Sequence, residues 1–266
     1  MRKTIAVLAD IHGNLEALEA VFADMEQHAD VTEIFCLGDL IGIGPHPNEV
    51  LACICARENV QVVSGNHEEA VLALIHGEAY PKRSETIRAH HEWVAASLDD
   101  AYIPWLTALP RQLTLEREGV NILLQHYHMK ETRREFPIWR NPFEPVDYHP
   151  TARKLDDFYE GRAGVWDIVC FGHHHPVHLF QTEKRMYFNP GALGCYHKPL
   201  ARYALIHLGE GQASVELREI PYDKGKVVEA LYRLEVPKRD FIVQTFLSSK
   251  PPAAYVSSYG GNIEKG

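Results

Sequence analysis

The order of hydrophobic patterns predicts an α/β protein, and three observations carry that reading. Thr4 to Ala9 is a short apolar and β-branched run, Leu15, Leu18, Val21, Phe22 and Met25 recur at helical spacing, and the same strand-then-helix plan repeats before a third run at Val60 to Val63. Strand, helix, strand, helix, strand in this order implies parallel strands joined by right-handed crossovers. In the second unit Glu33 to Leu37 is the strand. Pro47 opens its helix, with Glu49 in the first turn and Val50, Leu51 and Ile54 on one face. From Glu68 to Leu109 the pattern is mostly helical and stops at Pro110. Gln112 to Glu116 and Val120 to Gln125 form two strands around a turn at Arg117 to Gly119, which predicts a second sheet.

Residues 128–164 are rich in Pro, Arg and aromatic side chains with weak periodicity, so an irregular excursion with one helix near Thr151 to Tyr159 is expected. Strand-like runs return at Val165 to Phe171, Val177 to Gln181, Arg185 to Phe188, Tyr203 to Leu208 and Ala213 to Ile220. Their shortness and the turns between them predict antiparallel pairing. Two helices should cover 223–247. The expected organisation is a single domain over 1–250 followed by a flexible Pro/Ser/Gly-rich tail over 251–266.

Composition narrows the function. With 45% hydrophobic and 24% charged residues the 266-residue chain reads as a folded, water-soluble protein rather than a disordered one. Its formal charge of −9 argues against general nucleic-acid binding and requires a local positive source for any anionic partner. The N-terminal apolar run Ile5 to Ala9 stops at Asp10, far short of a membrane span and without the layout of a secretory signal, so a cytoplasmic protein with no membrane partner is expected. The cysteines are odd in number and none forms a C-x-x-C pair, which reads as reduced, structural thiols. The unusual count is 16 histidines, several of them beside Asp, Asn or Gly.

Those histidines gather where strands should end. Asp10-Ile11-His12 follows the first strand, Gly38-Asp39 the second and Gly65-Asn66-His67-Glu68 the third; His126 closes the Ile122 to Gln125 run, and Gly172-His173-His174-His175 follows Phe171. In α/β sheets this edge is where ligands bind. A lone D-x-H or H-x-H is weak evidence, but five successive strand ends bearing oxygen or imidazole groups are strong evidence for a shared site. Two closely held cations need an anionic ligand between them to bridge and to offset their repulsion, and Asp39 is the candidate. Imidazole, carboxylate and amide donors without thiolate suit Mn, Fe or Zn better than Mg.

The ordered blocks D-x-H, G-D, G-N-H-[D/E], H and G-H-x-H resemble those of the calcineurin-like metallophosphoesterase superfamily over residues 4–210. The chain looks most similar to a compact bacterial branch, through Asp10 to Asn14, Gly38 to Glu49 and Asn189 to Gly191. The resemblance implies two packed mixed sheets flanked by helices. It also implies two divalent cations, one held by Asp10, His12 and His175, the other by Asn66, His126 and His173, with Asp39 shared and His174 turned away. His67 resembles the family's general acid. The expected activity is hydrolysis of phosphate ester or phosphoanhydride bonds in small molecules, nucleotides or phosphodiesters, through a cation-activated hydroxide.

Substrate contacts are less specific in the sequence. Asn14 is a candidate for a phosphate oxygen or an ordinary helix cap, and Asn66 is counted with it. Arg133, Arg134 and Arg140 with Trp139 could grip phosphates and stack on a base, or form a solvated loop. His197, with Tyr196 and Lys198, is expected to border the same cleft. His90 and His91 read as packed or solvated, and His128 is the alternative to His126. A protein Ser/Thr phosphatase is a rival reading, weakened because Gly38 to Gly44 lacks that branch's second Asp and neighbouring Arg, and Ser64 stands where it has Arg; the partner of His67 is left unassigned. A catalytically silent scaffold with the same fold is a third reading, weakened because no ligand residue is missing.

Overall fold

A computed structural model describes residues 3–28, 30–162, 164–248 and the pair Ile263–Glu264. The first half alternates as expected: β1 (Lys3–Leu8), α1 (Leu15–Met25), β2 (Val31–Cys36), α2 (Pro47–Cys55) and β3 (Val60–Val62), then α3 (Asn66–Ile75), α4 (Arg88–Ser97) and α5 (Ile103–Thr107). The second half holds β4 (Gln112–Arg117), β5 (Val120–Gln125), α6 (Ala152–Tyr159), β6 (Ile168–Cys170), β7 (His178–Gln181), β8 (Met186–Asn189), β9 (Leu200–Gly209), β10 (Gln212–Pro221), α7 (Lys224–Arg233), α8 (Arg239–Ile242) and β11 (Ile263–Glu264). They form two mixed sheets, in the orders β10-β9-β1-β2-β3 and β11-β7-β8-β6-β5-β4, packed together and flanked by helices.

Packing explains why Thr4 to Ala9 is apolar without alternation. Ile5, Val7 and Ala9 point into the core between the sheets, against Ile122, Leu124, Ile168 and Phe188. Ala6 and Leu8 point the other way, into the layer of Leu18, Val21, Phe22 and Leu51 on α1 and α2. A strand covered on both faces reads as a continuous hydrophobic run. Each fully buried Val, Leu or Ile contributes about 1.5–3 kcal/mol.

Register places the site. β1 runs parallel to β2 with Leu8 opposite Cys36, and β2 parallel to β3 with Cys36 opposite Val62, so all three strands stop at one level and their loops leave side by side.

The antiparallel expectation holds for β4–β5, β7–β8 and β9–β10, but β6 is parallel to both β5 and β8. The residues between β5 and β6, including α6, supply the long crossover that a parallel pair needs. The runs at Tyr203 to Leu208 and Ala213 to Ile220 join the first sheet, with β9 antiparallel to β1. The 128–164 excursion is irregular with one α-helix, α6, as expected, and Met129, Ile138, Phe143, Leu155 and Tyr159 from it are buried with Phe171, Phe180 and Tyr187 in a core of their own, while Trp139 stays half-exposed. The tail expected from Pro251 lies outside the described residues except for Ile263–Glu264, whose backbone pairs with β7. Among the described residues no helix is long and apolar enough to cross a membrane.

Candidate active site

The strand-end loops are laced together by their own backbones. Asp10 N donates to Gly38 O (3.2 Å), His12 N to Asp39 O (2.8 Å), and Gly172 N to His126 O (2.8 Å). Side chains tie in further loops: both Asp10 oxygens accept from His173 N at 3.0 Å, and Asp39 Oδ1 accepts from His67 N at 2.9 Å in the first turn of α3. Five of the seven predicted cation ligands, Asp10, His12, Asp39, His173 and His175, have left-handed backbone, with φ between 52° and 68°. Such conformations are unfavourable for non-glycine residues and persist only where surrounding structure enforces them, commonly at functional sites. Gly65 is required by the crowding: a Cβ there would stand 2.2 Å from Asp39 Oδ1.

Six of the seven side chains gather in two groups, with Asp10 held beside them by His173 N. His12 Nε2 and His175 Nε2 face each other at 3.0 Å. In the other group His126 Nε2 is 2.9 Å from Asn66 Oδ1 and 3.2 Å from His173 Nδ1. Asp39 Oδ2 stands between them, 3.8 Å from His12 Nε2 and 3.3 Å from His126 Nε2. Burial pushes His12 down to about 4, His173 down to about 3 and His175 well below its ordinary range, so these rings stay neutral and keep a lone pair, the ligand form of imidazole. Burial lifts Asp10 to about 7. It also opposes charge on Asp39 and His126, yet their mutual attraction prevails: His126 and His67 hold the Asp39 carboxyl well below the usual range, and Asp39 helps lift His126 to about 9. The neutral rings of His12, His173 and His175, the Asp39 carboxylate and the Asn66 amide oxygen are donors that suit divalent metal, and His126 joins them on giving up its proton.

Four residues outside the predicted set belong to this architecture. Glu68, fully buried, accepts from Asp39 N (2.8 Å), Gly65 N (2.8 Å) and Ile41 N (3.1 Å), clamping the second and third loops together. It stands three residues after the N-cap Gly65, where a Glu side chain reaches back to the N-cap N–H, a signal present in the sequence. His91 on α4 and Tyr80 before it lie behind His67, with His91 Nε2 2.9 Å from His67 Nδ1. Cys195, read as structural, has its sulfur within 4.8 Å of the ligand atoms of His12 and His175. No spacing rule marks the last three.

The other expectations divide. His174 does turn away, to His178 Nε2 at 2.9 Å, but through left-handed neighbours rather than by the alternation of an extended strand. His128 is held by Tyr159 (2.8 Å), away from the cluster that contains His126. The Asn14 side chain caps α1 through Ala17 N (3.1 Å) and spends its amide on Gly194 O (2.9 Å) and Tyr222 OH (3.2 Å), which leaves no amide hydrogen for a phosphate. A cleft of about 740 Å³ opens beside Asn66 and His173, lined by Lys82, Arg83, Arg133, Arg140 and Trp139 among others. Arg134 lines separate hollows with Gln112, and His197 packs edge-on against Tyr196; neither lines the cleft.

Known proteins resemble this chain in sequence and in fold. An uncharacterised protein of Methanocaldococcus jannaschii is 26% identical over 90% of this chain and 96% of its own length. A symmetrical bis(5'-nucleosyl)-tetraphosphatase of Neisseria meningitidis is 33% identical, but the match spans only 44% of this chain and 41% of that enzyme. Two solved structures share the fold: a hypothetical protein from Pyrococcus horikoshii (TM-score 0.71, 19% identity, 94% of this chain and 99% of that one) and a metallophosphoesterase from Sphaerobacter thermophilus (TM-score 0.67, 21% identity, 91% and 98%). The sequence profile of the calcineurin-like phosphoesterase superfamily domain matches residues 4–211, and the chain belongs to that superfamily.

Proposed function

We propose that this phosphoesterase hydrolyses phosphate ester or phosphoanhydride bonds of nucleotides. Asp10, His12 and His175 would hold one divalent cation and Asn66, His126 and His173 a second, with Asp39 shared; Mn, Fe and Zn suit the donors. Such cations supply Lewis acidity, withdrawing charge from phosphate oxygens and making water nucleophilic near neutral pH. The chain's own groups do the rest. His67 gives a proton from Nε2 to the departing oxygen, and the Asp39 carboxylate, anchored by His67 N, keeps its other oxygen towards the cluster.

The observation that carries the nucleotide reading is the cleft. Lys82, Arg83, Arg133 and Arg140 line it against the Glu144 carboxylate, which pairs with Arg133 at 3.4 Å, so the cleft keeps the local positive excess that an anionic substrate needs. The half-exposed indole of Trp139 offers a stacking face for a base. The partial likeness to a bis(5'-nucleosyl)-tetraphosphatase supports the same substrate class. All five cysteines are free thiols, which supports the expected reducing, cytoplasmic setting.

A substrate panel with added Mn²⁺ tests the reading. Dinucleoside polyphosphates, mononucleotides or cyclic nucleotides should be turned over with higher kcat/KM than phosphopeptides or sugar phosphates. Turnover confined to phosphopeptides would refute it, as would tight cation binding without hydrolysis of any phosphate ester.

A further inference from the structure

His67 occupies the second position of α3 and has one ring nitrogen on each side. Nε2 faces the cluster, 3.9 Å from Asp39 Oδ2. Nδ1 faces away, 2.9 Å from His91 Nε2, and the two rings meet edge-on with centroids 4.8 Å apart. His91 is fully buried, and its Nδ1 lies 2.7 Å from the Tyr80 hydroxyl, which donates to the Ser84 carbonyl at 3.1 Å. Space is tight here. Gly42, with φ of +81°, passes so close that a Cβ would stand 2.3 Å from His67 Nδ1, so the ring is also confined from the side of the Asp39 loop.

The order of donors along this chain follows from its end. A carbonyl only accepts, so the single Tyr80 proton is committed to Ser84 O, and the Tyr80 oxygen is left to accept from His91 Nδ1–H. Neutral His91 then has a lone pair on Nε2, which accepts from His67 Nδ1–H. His67 is thereby held with its Nδ1 proton in place, and Nε2 is the nitrogen presented to the reacting group.

We propose that His91, seated on Tyr80, is the positioning residue of His67: an imidazole doing the orienting work for which the sequence offers no carboxylate. The proposal rests on the reading of His67 as proton donor. In the step itself His67 is the imidazolium, with a proton on each nitrogen: the leaving oxygen takes the Nε2 proton as water attacks phosphorus and the bond to that oxygen breaks, the Nδ1 proton stays on the His67–His91 hydrogen bond, and Nε2 is reprotonated from solvent before the next turnover. Partners of this kind typically matter by about 10- to 100-fold.

A series of aryl phosphates from p-nitrophenyl to phenyl phosphate, assayed with Mn²⁺, separates positioning from simple support of the fold. His91→Ala should lower kcat on phenyl phosphate by about 10-fold or more, with p-nitrophenyl phosphate changed less than about 3-fold and cation content unchanged. His91→Gln, whose side-chain carbonyl can accept from His67 Nδ1–H, should recover most of the loss, and Tyr80→Phe should fall between. In the cation-free protein, ¹⁵N spectra should show the His67 proton on Nδ1 in the wild type and a tautomer mixture in His91→Ala. If His67→Ala shows the leaving-group split and His91→Ala, His91→Gln and Tyr80→Phe do not, the positioning role is overturned while the acid role stands. If His67→Ala itself shows no split, the acid reading falls first. Should His91→Ala fail to fold, the Gln and Phe variants still decide: full activity of Tyr80→Phe on phenyl phosphate together with an unrescued loss in His91→Gln overturns the proposal.

Discussion

Replacing Glu68 by alanine removes one acceptor group that serves three buried backbone donors, the N–H groups of Asp39, Gly65 and Ile41. Each buried donor left without a partner costs about 1–3 kcal/mol. The loss is therefore at least about 3 kcal/mol, a large part of the roughly 5–15 kcal/mol that separates folded from unfolded chains. Glu68→Gln is the informative companion. It keeps the volume, and its carbonyl oxygen can serve the two donors that share Oε2, but its amide hydrogens then face the Ile41 N–H, so about 1–3 kcal/mol should be lost. Calorimetry in the presence of chelator reads the series directly. At about 2–4 °C per kcal/mol for chains of this size, Glu68→Ala should melt about 6–12 °C or more below the wild type, with Glu68→Gln between them. A shift under about 2 °C for alanine, or a glutamine variant as unstable as alanine, would refute the view that three-way acceptance by one carboxylate holds the loops together.

Other expectations bear on chemistry, binding and pH. Asp39→Asn removes the shared charge and should lower the bound cations below two per chain by elemental analysis; two ions retained at full rate would remove Asp39 from the bridging position. Trp139→Ala should raise KM for nucleotides by about 5- to 150-fold, the equivalent of 1–3 kcal/mol of base stacking, with kcat little changed; an unaltered KM would take the indole out of substrate binding. Glu33 is held down to about 2 by its hydrogen bonds to Arg117, helped by Lys3 and opposed by partial burial. A carboxyl depressed below its ordinary 4.5 adds stability above pH of about 4.5 and loses it as pH falls towards about 2. The melting difference between wild type and Glu33→Gln should therefore be full at pH 6 and nearly gone near pH 2, and a constant difference would contradict the pairing.

The parts of the site legible in the sequence were those where chemistry and strand ends coincide. Asp10, His12 and Asp39 follow apolar runs whose parallel order is fixed by helical crossovers, so their meeting could be argued before any coordinates. His91 and Tyr80 could not be found this way, because they reach His67 only through the packing of α4 on α3, which no short spacing encodes. Cys195 was missed for a related reason: it arrives on the loop after β8, hydrogen-bonded through Gly194 N to Asp10 O, and a lone cysteine carries no motif. The parallel placement of β6 was hidden because its three residues read the same in either direction of pairing. Left-handed backbone at His173 and His175, not the alternation of an extended strand, turns His174 in the expected direction. Asn14 shows the opposite outcome, a polar residue at a helix start whose plain capping role absorbs the side chain completely.

Anomalous diffraction from crystals soaked in manganese tests the central claim most directly. Two peaks about 3.5–4 Å apart should lie between the His12–His175 and the Asn66–His126–His173 groups, with Asp39 touching both. No peak between those groups, or ions bound elsewhere on the chain, would contradict the account.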